Sequence, residues 1–312
     1  MATSLAVPRK ADNLHVQLGR DGHRRLTRVS FDFLKGHGTE NDFVLVPDPD
    51  GELLGAVDTA LVAAVCDRRA GIGGDGLIRV VRCSAVDDPA ARNAATQGVE
   101  WFMDHRNRDG SRAEMCGNGA RVFARYLDGA GLVDSSAPLL IGTRAGIKQV
   151  TYEAGGSITV DMGVPDIRAD VKITVGRRTW PATHIDMGNP HAVVAVDDVS
   201  EAGALLEPPG YDEADYPQGV NIEFVARIAP SRVAMRVFER GSGETRSCGT
   251  GACAAVVATA ASSLAGQAKP PDAATIYQVD VPGGELAVTW RPDGHVQLTG
   301  PAVIVAVGTW VG

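Results

Sequence analysis

The chain has 312 residues, of which 44% are hydrophobic and 22% are charged, and this composition can fill the core of one large or two modest domains. Its 30 basic and 38 acidic side chains include no basic run interleaved with aromatic residues, which argues against nucleic acid or an anionic membrane as a partner. No apolar stretch approaches the roughly 20 residues of a membrane span, so we expect a soluble globular protein.

The first 30 residues are rich in arginine, carry Asp12 and Asp21, and lack the apolar segment of a secretory signal. We interpret residues 1–30 as an extension outside the folded core, because a transit peptide fits these acidic residues poorly. The five cysteines, at positions 66, 83, 116, 248 and 253, are odd in number and widely spaced. This usage favours free thiols in a reducing compartment, the cytoplasm.

Segments rich in Val, Ile and Phe predict strands along most of the chain. In chain order they cover residues 41–46, 76–81, 158–161, 191–196, 220–225, 233–238 and 279–290. Residues 59–69 have the amphipathic spacing of a surface helix. Two further helices are predicted directly after Cys116 and Cys248, over residues 117–132 and 249–264. Both open on a glycine-rich turn and continue as Ala-rich, largely apolar segments, so we expect them to be buried.

The sequence contains an internal repeat. MCGNGA (115–120) and SCGTGA (247–252) share the pattern C-G-x-G-A, and GTENDFVLVPD (38–48) resembles MGNPHAVVAVDD (187–198). We therefore predict a mixed α/β protein with two pseudo-symmetric domains, each a strand-rich mixed sheet or barrel wrapped around a central helix. The N-terminal domain covers residues 31–161, with residues 301–312 returning to it as an edge strand, and the C-terminal domain covers residues 162–300. We expect the active site in the cleft between them.

Each cysteine of the repeat stands at the entry of a predicted helix. Backbone N–H groups and the helix macrodipole favour negative charge there, so we expect the thiolates of Cys116 and Cys248 to be stabilised. The N–H groups of the same turns form a receptor for a carboxylate. These groups belong to Gly117, Asn118, Gly249 and Thr250.

Two such turns facing each other would place a sulfur on each side of the α-carbon of one amino acid. One thiolate then removes the α-proton while the opposite thiol delivers another, which inverts the centre without a cofactor. A single C-G-x-G turn is more often a buried cysteine near a helix cap, but two matched copies favour catalysis. Cys66, Cys83 and Cys253 lack a matched turn of this kind and are interpreted as core thiols.

Three other kinds of site are not supported. GIGGDG (71–76) matches the dinucleotide pattern G-x-G-x-x-G, but it follows a helix and leads into a strand, so a tight turn is the better interpretation. No C-x-x-C or H-x-x-x-H spacing indicates a metal site. Neither a Schiff-base lysine nor a phosphate cup for pyridoxal phosphate is recognisable, so no cofactor is expected.

Five motifs together resemble the diaminopimelate epimerase family: KGHGTENDFV (35–44), RNRDGSRAEMCGNGAR (106–121), GNPH (188–191), GVNIEF (219–224) and ERGSGETRSCGTGA (239–252). The resemblance runs from about Phe31 to the C-terminus. It implies a pyridoxal-independent isomerase that converts LL- to meso-2,6-diaminopimelate in lysine and cell-wall precursor synthesis. It also implies two pseudo-symmetric domains and a homodimer.

The resemblance assigns roles to individual residues. Cys116 and Cys248 match the catalytic pair, and the four N–H positions named above match the turns that hold the reacting α-carboxylate. The family's other substrate contacts match Asn41, Asn107, Asn189, Asn221, Glu239 and Arg240. His191 and Glu239 match residues that tune the cysteines. Gly76 departs from the pattern, because some relatives carry a substrate-contacting Gln at that position.

The chemistry of the substrate fits this set of residues. A guanidinium such as that of Arg240 holds a distal carboxylate bidentately, and amide side chains serve both its amino and carboxylate groups. Taken singly, each residue has a structural alternative: the Asn residues as turn caps, Arg240 as a surface ion pair, and His191 as a satisfied strand histidine. The alternative functions are a proline or hydroxyproline racemase-like enzyme and a non-catalytic amino-acid-binding protein on the same fold.

Overall fold

The structure is a computed structural model that describes residues 30–53, 57–263 and 269–312. The predicted extension lies outside the described residues, apart from Ser30. The described strands are β1 (Phe31–Gly38), β2 (Asn41–Pro47), β3 (Gly76–Arg82), β4 (Trp101–Asn107), β5 (Leu139–Thr143), β6 (Gly146–Tyr152), β7 (Ile158–Gly163), β8 (Asp166–Ile167), β9 (Val171–Val175), β10 (Arg178–Asp186), β11 (Pro190–Val196), β12 (Asn221–Ala229), β13 (Arg232–Glu239), β14 (Gly243–Thr245), β15 (Thr275–Val281), β16 (Gly284–Trp290), β17 (Val296–Gly300) and β18 (Val303–Trp310). The described helices are α1 (Thr59–Cys66), α2 (Pro89–Thr96), α3 (Gly117–Gly129) and α4 (Gly249–Ser263), with short 3₁₀ turns at Cys83–Ala85 and Val199–Ala202.

The chain divides into two compact units. The described part of unit 1 comprises residues 30–38, Asp42–Tyr152 and Ala302–Gly312, and unit 2 comprises Thr39–Asn41 and Glu153–Pro301. The division between Tyr152 and Glu153 precedes β7, whereas the boundary suggested by the sequence, near Asp161, falls inside that strand. In unit 1, β18 pairs antiparallel with β1.

The two units share one strand pattern. In unit 1, β2 and β3 run parallel, β3 and β4 antiparallel, β4 and β5 parallel, and β5 and β6 antiparallel. In unit 2, the same alternation runs through β11, β12, β13, β15 and β16. A cysteine-led helix, α3 or α4, follows the third of these strands in each unit. The predicted mixed α/β fold with two pseudo-symmetric halves is confirmed.

Each cysteine-led helix lies at the centre of its own unit. Helix α3 contacts β1, β3, β4, β6 and β18, and α4 contacts β10 to β13 and β15 to β17. Residues 117–124 of α3 and 252–257 of α4 are buried. Strands on all sides explain the Ala-rich sequences, because small apolar side chains let the backbones approach closely. Asn118 and Arg121 are the polar exceptions in α3, and the guanidinium of Arg121 donates to Asn118 Oδ1 at 2.9 Å.

One predicted strand is wrong, and several elements were not predicted, among them β1, β4 and α2. Residues 279–290 form the end of β15 and all of β16, joined by a hairpin turn at Pro282 and Gly283, and this Pro-Gly-Gly sequence carries the signal for the turn. Helix α2 was not expected, although Asp88 caps it by accepting from Ala90 N and Pro89 opens it.

The glycine-rich segment after α1 is a tight turn, as predicted. Gly71 N donates to Asp67 O at 3.0 Å, Ile72 N donates to Val65 O at 2.9 Å, and β3 follows. None of the described helices has both the length and the apolar character that crossing a bilayer requires.

Candidate active site

The turn before α3 brings together a sulfur and a helix N-terminus in unit 1. Cys116 is the N-cap residue, with extended backbone angles (φ −143°, ψ 119°), and its carbonyl accepts from Ala120 N at 2.8 Å. Its sulfur accepts from the backbone N–H of Gly119 at 3.4 Å. The thiol is half-buried. Gly117 and Asn118 are the first helical residues, and N–H groups of a first turn point out of the helix toward a ligand.

The turn before α4 repeats this geometry in unit 2. The carbonyl of Cys248 accepts from Ala252 N at 2.9 Å, and its sulfur accepts from Gly251 N at 3.4 Å. The sulfur also lies 3.5 Å from Thr250 Oγ1. Cys248 is 6% exposed. The C-G-x-G pattern thus forms the same local structure in both units. The cysteine sulfur caps its helix by accepting a hydrogen bond from the N–H of the residue three positions further on.

Burial decides the charge of the Cys248 sulfur. Removal from water raises the pKa of this thiol well above its ordinary value, and the carboxylates of Glu239 and Glu223 raise it further. Hydrogen bonds from Thr250 and Gly251 oppose this only in part. The expected stabilised thiolate is therefore wrong for Cys248, because desolvation and two carboxylates outweigh the helix N-terminus. At neutral pH this sulfur therefore carries its proton.

A buried polar network adjoins the Cys248 turn. His191 Nδ1 lies 2.6 Å from Glu223 Oε1, and both side chains are fully buried. His191 Nε2 lies 3.1 Å from Asn189 Oδ1, and Asn189 Nδ2 donates to Thr250 Oγ1 at 3.4 Å. The structure thus joins Asn189, His191 and Thr250, three of the predicted site residues, to the cysteine turn.

The segment Thr39–Asn41 belongs to unit 2, although the strands on either side of it belong to unit 1. Thr39 Oγ1 lies 2.6 Å from Ser247 Oγ in a buried hydrogen bond, and Glu40 pairs with Arg246. Thr39 and Glu40 have φ of 51° and 61°, a left-handed conformation that costs energy for residues other than glycine. Ser247 precedes Cys248, and the predicted residue Asn41 follows two positions after Thr39 in this segment.

Asn221 and Arg240 are linked to each other and to backbone groups. Asn221 donates from Nδ2 to Pro190 O at 3.0 Å and accepts at Oδ1 from Arg240 N at 3.0 Å. The guanidinium of Arg240 donates from Nη1 to Gln218 O at 3.1 Å. The planar guanidinium has five N–H donors, so this contact orients it and leaves other donors for a carboxylate.

Asn107 and Glu239 occupy equivalent places in the two units. Asn107 is the last residue of β4 and Glu239 the last of β13, the corresponding strand of the repeat. Asn107 Nδ2 donates to Ser111 Oγ at 3.0 Å, and Glu239 accepts a short hydrogen bond from the Thr245 hydroxyl. The predicted polar residues therefore lie at the same edge of each sheet.

Gly76 opens β3, the strand of unit 1 that corresponds to β12. A Cβ on Gly76 would lie 2.6 Å from Arg106 O and 2.9 Å from His105 Nε2. The backbone carbonyl cannot give way, so a side chain at this position would require a rearrangement of β4. His105 takes up space that a longer residue would need.

Glu223 is the functional candidate that reasoning from the sequence missed. It lies in β12, two residues after Asn221 and on the same face of the strand. The sequence did contain a signal for Glu223, a single carboxylate between the apolar residues Ile222 and Phe224, which are both buried. A charged residue is seldom fully buried without a partner. Among the described residues, no group of three or more His, Cys, Asp or Glu side chains is arranged to hold a metal ion.

Known proteins match this sequence over most of its length. The sequence model of the family described as diaminopimelate epimerase matches residues 33–167 and 183–305. A diaminopimelate epimerase of Streptomyces coelicolor is 57% identical over 284 residues, which cover 90% of this chain and 95% of that protein. A diaminopimelate epimerase of Thermobifida fusca is 50% identical over 277 residues, which cover 88% and 96%.

A solved structure shares the fold at much lower identity. The crystal structure of a hydroxyproline epimerase from Agrobacterium vitis, with bound trans-4-hydroxy-L-proline, matches with a TM-score of 0.63 and 15% identity. The match covers 92% of this chain and 93% of that one. At this identity the likeness establishes a common fold only.

Proposed function

This chain belongs to the diaminopimelate epimerase family, and we propose that it interconverts LL- and meso-2,6-diaminopimelate without a cofactor. The reaction inverts one α-carbon and belongs to the synthesis of lysine and of peptidoglycan precursors. The observation that carries the proposal is the duplicated turn, in which Cys116 and Cys248 each cap the central helix of their unit through a sulfur. A one-base enzyme needs only one such thiol, and a binding protein needs none.

The two sulfurs act as opposed acid and base in this proposal. One thiolate removes the proton from the α-carbon, and the other thiol delivers a proton to the opposite face. The raised pKa of Cys248 means that this cysteine begins as the protonated partner. In the direction of reaction that starts from this state, Cys248 is the proton donor and Cys116 is the base. The reverse reaction exchanges the roles, so each turnover leaves the thiol proton on the other cysteine.

The N-termini of α3 and α4 bind the reacting end of the substrate. The backbone N–H groups of the first helical turns hold the α-carboxylate and stabilise the negative charge that develops as the α-proton leaves. These groups belong to Gly117, Asn118, Gly249 and Thr250. The Asn118 side chain is buried and its Oδ1 accepts from Arg121 one turn further along α3, so the contribution of Asn118 to binding comes from its backbone.

The distal amino and carboxylate groups of the substrate explain the remaining polar residues. Arg240 pairs with the distal carboxylate, and the amides and Glu239 satisfy the amino groups. The residues assigned to this recognition are Asn41, Asn107, Asn189, Asn221, Glu239 and Arg240. His191 and Glu239 adjust the protonation of the cysteines. Glu239 supports this role directly, because its carboxylate raises the pKa of Cys248.

We further propose a cytoplasmic homodimer. Five free cysteines suit a reducing compartment. Val303, Val305 and Val307 alternate along β18 and are 43%, 54% and 42% exposed, so they offer an apolar face that a second copy would cover. Light scattering on the purified protein should give twice the mass of one chain, and a monomer mass would exclude the dimer.

The reaction is tested by NMR of the purified protein with LL-diaminopimelate in D₂O, with L-proline and trans-4-hydroxyproline as parallel substrates. We expect meso product with deuterium at one α-carbon and no exchange in the other two samples. Exchange in proline or hydroxyproline instead would support the racemase-like alternative. No exchange in any sample would leave only a binding function.

A further inference from the structure

A continuous chain of polar contacts in unit 2 begins at a buried carboxylate and ends at the Cys248 sulfur. Glu223 Oε1 contacts His191 Nδ1 at 2.6 Å, and His191 Nε2 contacts Asn189 Oδ1 at 3.1 Å. Asn189 Nδ2 then donates to Thr250 Oγ1 at 3.4 Å, and Thr250 Oγ1 lies 3.5 Å from Cys248 Sγ. The first link is short and the last two are long, so the order of donors and acceptors matters more than any single distance.

The imidazole ring of His191 is held at both nitrogens. At 2.6 Å, Nδ1 and the Glu223 oxygen must have a proton between them, because two bare acceptors repel at that distance. Nε2 faces the amide oxygen of Asn189, which only accepts, so Nε2 donates, and the second proton of the pair is the one that Nδ1 shares with Glu223. The amide oxygen is thereby occupied, and the NH₂ group of Asn189 is turned toward Thr250.

The orientation of Asn189 determines what the Thr250 hydroxyl does. A hydroxyl has one proton to donate and lone pairs to accept. Because the Thr250 oxygen accepts from Asn189 Nδ2, its own proton stays free to bond the Cys248 sulfur whenever that sulfur is a thiolate. If the Asn189 amide turned over, the Thr250 proton would go to the amide oxygen instead. Among the described residues, the sulfur would then keep the N–H of Gly251 as its one donor.

The carboxylate at the start of this chain is costly to bury. Glu223 is 0% exposed between Ile222 and Phe224, and its Oε2 has no hydrogen-bond partner among the described residues. A buried carboxylate with one unsatisfied oxygen destabilises a fold unless a function maintains it. The contact with His191 is the interaction that holds it in place.

We propose that Glu223 is a positioning residue for Cys248: by clamping His191 it orients Asn189, and through Asn189 it directs the Thr250 hydroxyl to the sulfur. This role rests on the proposed function only where it calls Cys248 catalytic. The hydrogen-bond donors on the sulfur matter because they are what makes a thiolate accessible at this buried position. Glu223 thus assists the step in which Cys248 acts as a base.

Other charged groups bear on the same sulfur and must be separated from this effect. Glu239 on β13 and Glu223 itself on β12 both raise the pKa of Cys248 by their charge. The segment joining β13 to α4 has three charged residues: Arg240 donates to Gln218 O, Glu244 pairs with Arg236, and Arg246 pairs with Glu40. Removing Glu223 therefore has two consequences of opposite sign, the loss of a charge and the loss of the clamp.

Two substitutions of Glu223 separate these consequences. Glu223→Gln and Glu223→Leu both remove the charge, but only Gln keeps a hydrogen-bonding group for His191 Nδ1. The readout is the pH midpoint of iodoacetamide alkylation of Cys248, followed by peptide mass spectrometry, with the melting temperature measured in parallel. Glu285→Gln and Glu285→Leu serve as a control pair, because Glu285 is an exposed carboxylate of the same unit that pairs with Arg232.

We expect the midpoint in Glu223→Leu to lie about one pH unit above that in Glu223→Gln, the size of one hydrogen bond to a charged group. In the background of Thr250→Val the two Glu223 variants should give the same midpoint, because the hydroxyl that the clamp orients is gone. Equal midpoints with Thr250 present, or a difference that persists in Thr250→Val, would overturn the proposal. Alkylation needs no turnover, so this result is independent of whether the protein epimerises diaminopimelate.

Discussion

The hydroxyls of Thr39 and Ser247 share a buried hydrogen bond of 2.6 Å, which ties two distant parts of the sequence together within unit 2. Ser247 immediately precedes Cys248, and Thr39 is two residues before Asn41. The bond therefore fixes the backbone of one predicted substrate contact relative to a predicted catalytic residue. It also holds Thr39 in its left-handed conformation, φ 51°.

Removing either hydroxyl should weaken both stability and catalysis. Thr39→Val and Ser247→Ala are each expected to cost about 1–3 kcal/mol, because each removes one partner of a buried hydrogen bond. The double variant should cost less than the two together. Urea unfolding measures these values, and Ser136→Ala, which removes an exposed hydroxyl bonded to Asp134, is the control. Strict additivity in the double variant would show that the two hydroxyls do not act as a pair.

The two-base mechanism predicts that substitutions of Cys116 and Cys248 abolish turnover, whereas a substitution of a core cysteine does not. Cys116→Ala and Cys248→Ala should each lower kcat by about a thousandfold or more, since each removes one of two proton-transfer groups. Substrate binding, measured by calorimetry, should largely persist because the backbone N–H groups remain. Cys66→Ala is the matched control: burial raises the pKa of the Cys66 thiol to about 11, and its variant should keep its activity. Full turnover by either Cys116→Ala or Cys248→Ala would contradict the two-base mechanism.

The charge of Glu239 predicts a shift in the reactivity of Cys248. Desolvation is the largest cause of the raised pKa of the Cys248 thiol, and the Glu239 carboxylate is the next. Glu239→Gln should therefore lower the pKa of Cys248 and increase its thiolate fraction at a given pH. The alkylation rate of Cys248 should then rise at neutral pH. Glu244→Gln is the control, because Glu244 is engaged by Arg236. A rate that stays constant or falls in Glu239→Gln would refute this assignment.

Acid stability of unit 1 should depend on His105. Burial, assisted by the nearby Arg144, lowers the pKa of His105 from 6.5 to about 4. Between these values the unfolded chain binds a proton that the folded chain does not, so stability falls as the pH drops from 6.5 toward 4. His105→Gln should make this decline shallower by about one proton in the linkage slope. Urea unfolding across this pH range measures the slope, and an unchanged slope would count against a buried neutral His105.

Local features made much of the fold and the site predictable from the sequence. The two C-G-x-G-A copies gave the repeat, both central helices and both cysteines, because a cap, a glycine turn and an Ala-rich helix are encoded within a few adjacent residues. Strands β2, β3, β7, β11, β12 and β13 followed from runs of β-branched residues, whereas β1, β4 to β6, β8 to β10, β14 and β17 were not predicted. The prediction of a single strand over residues 279–290 was wrong, because the apolar residues on both sides of Pro282 and Gly283 were given more weight than the turn signal of these two residues.

Features that depend on distant parts of the chain were not predictable in this way. The protonated state of Cys248 arises from burial and from Glu223 and Glu239, which lie on other strands. A helix N-terminus seen in the sequence indicates only the opposing, stabilising effect. The clamp of Glu223 on His191 likewise depends on the parallel pairing of β11 with β12, in which His191 is opposite Asn221.

The packing around Gly251 provides the sharpest steric test of the Cys248 turn. A Cβ on Gly251 would lie 2.6 Å from Glu223 Oε1 and 3.3 Å from the Cys248 sulfur. Gly251→Ala should therefore displace the carboxylate or the sulfur, destabilise the protein by about 1–3 kcal/mol and lower kcat/KM strongly. Gly155→Ala in the same unit is the matched control, because its Cβ would meet no atom within 4 Å. If Gly251→Ala matched Gly155→Ala in both melting temperature and kcat/KM, the close approach of Glu223 to the cysteine turn would be excluded.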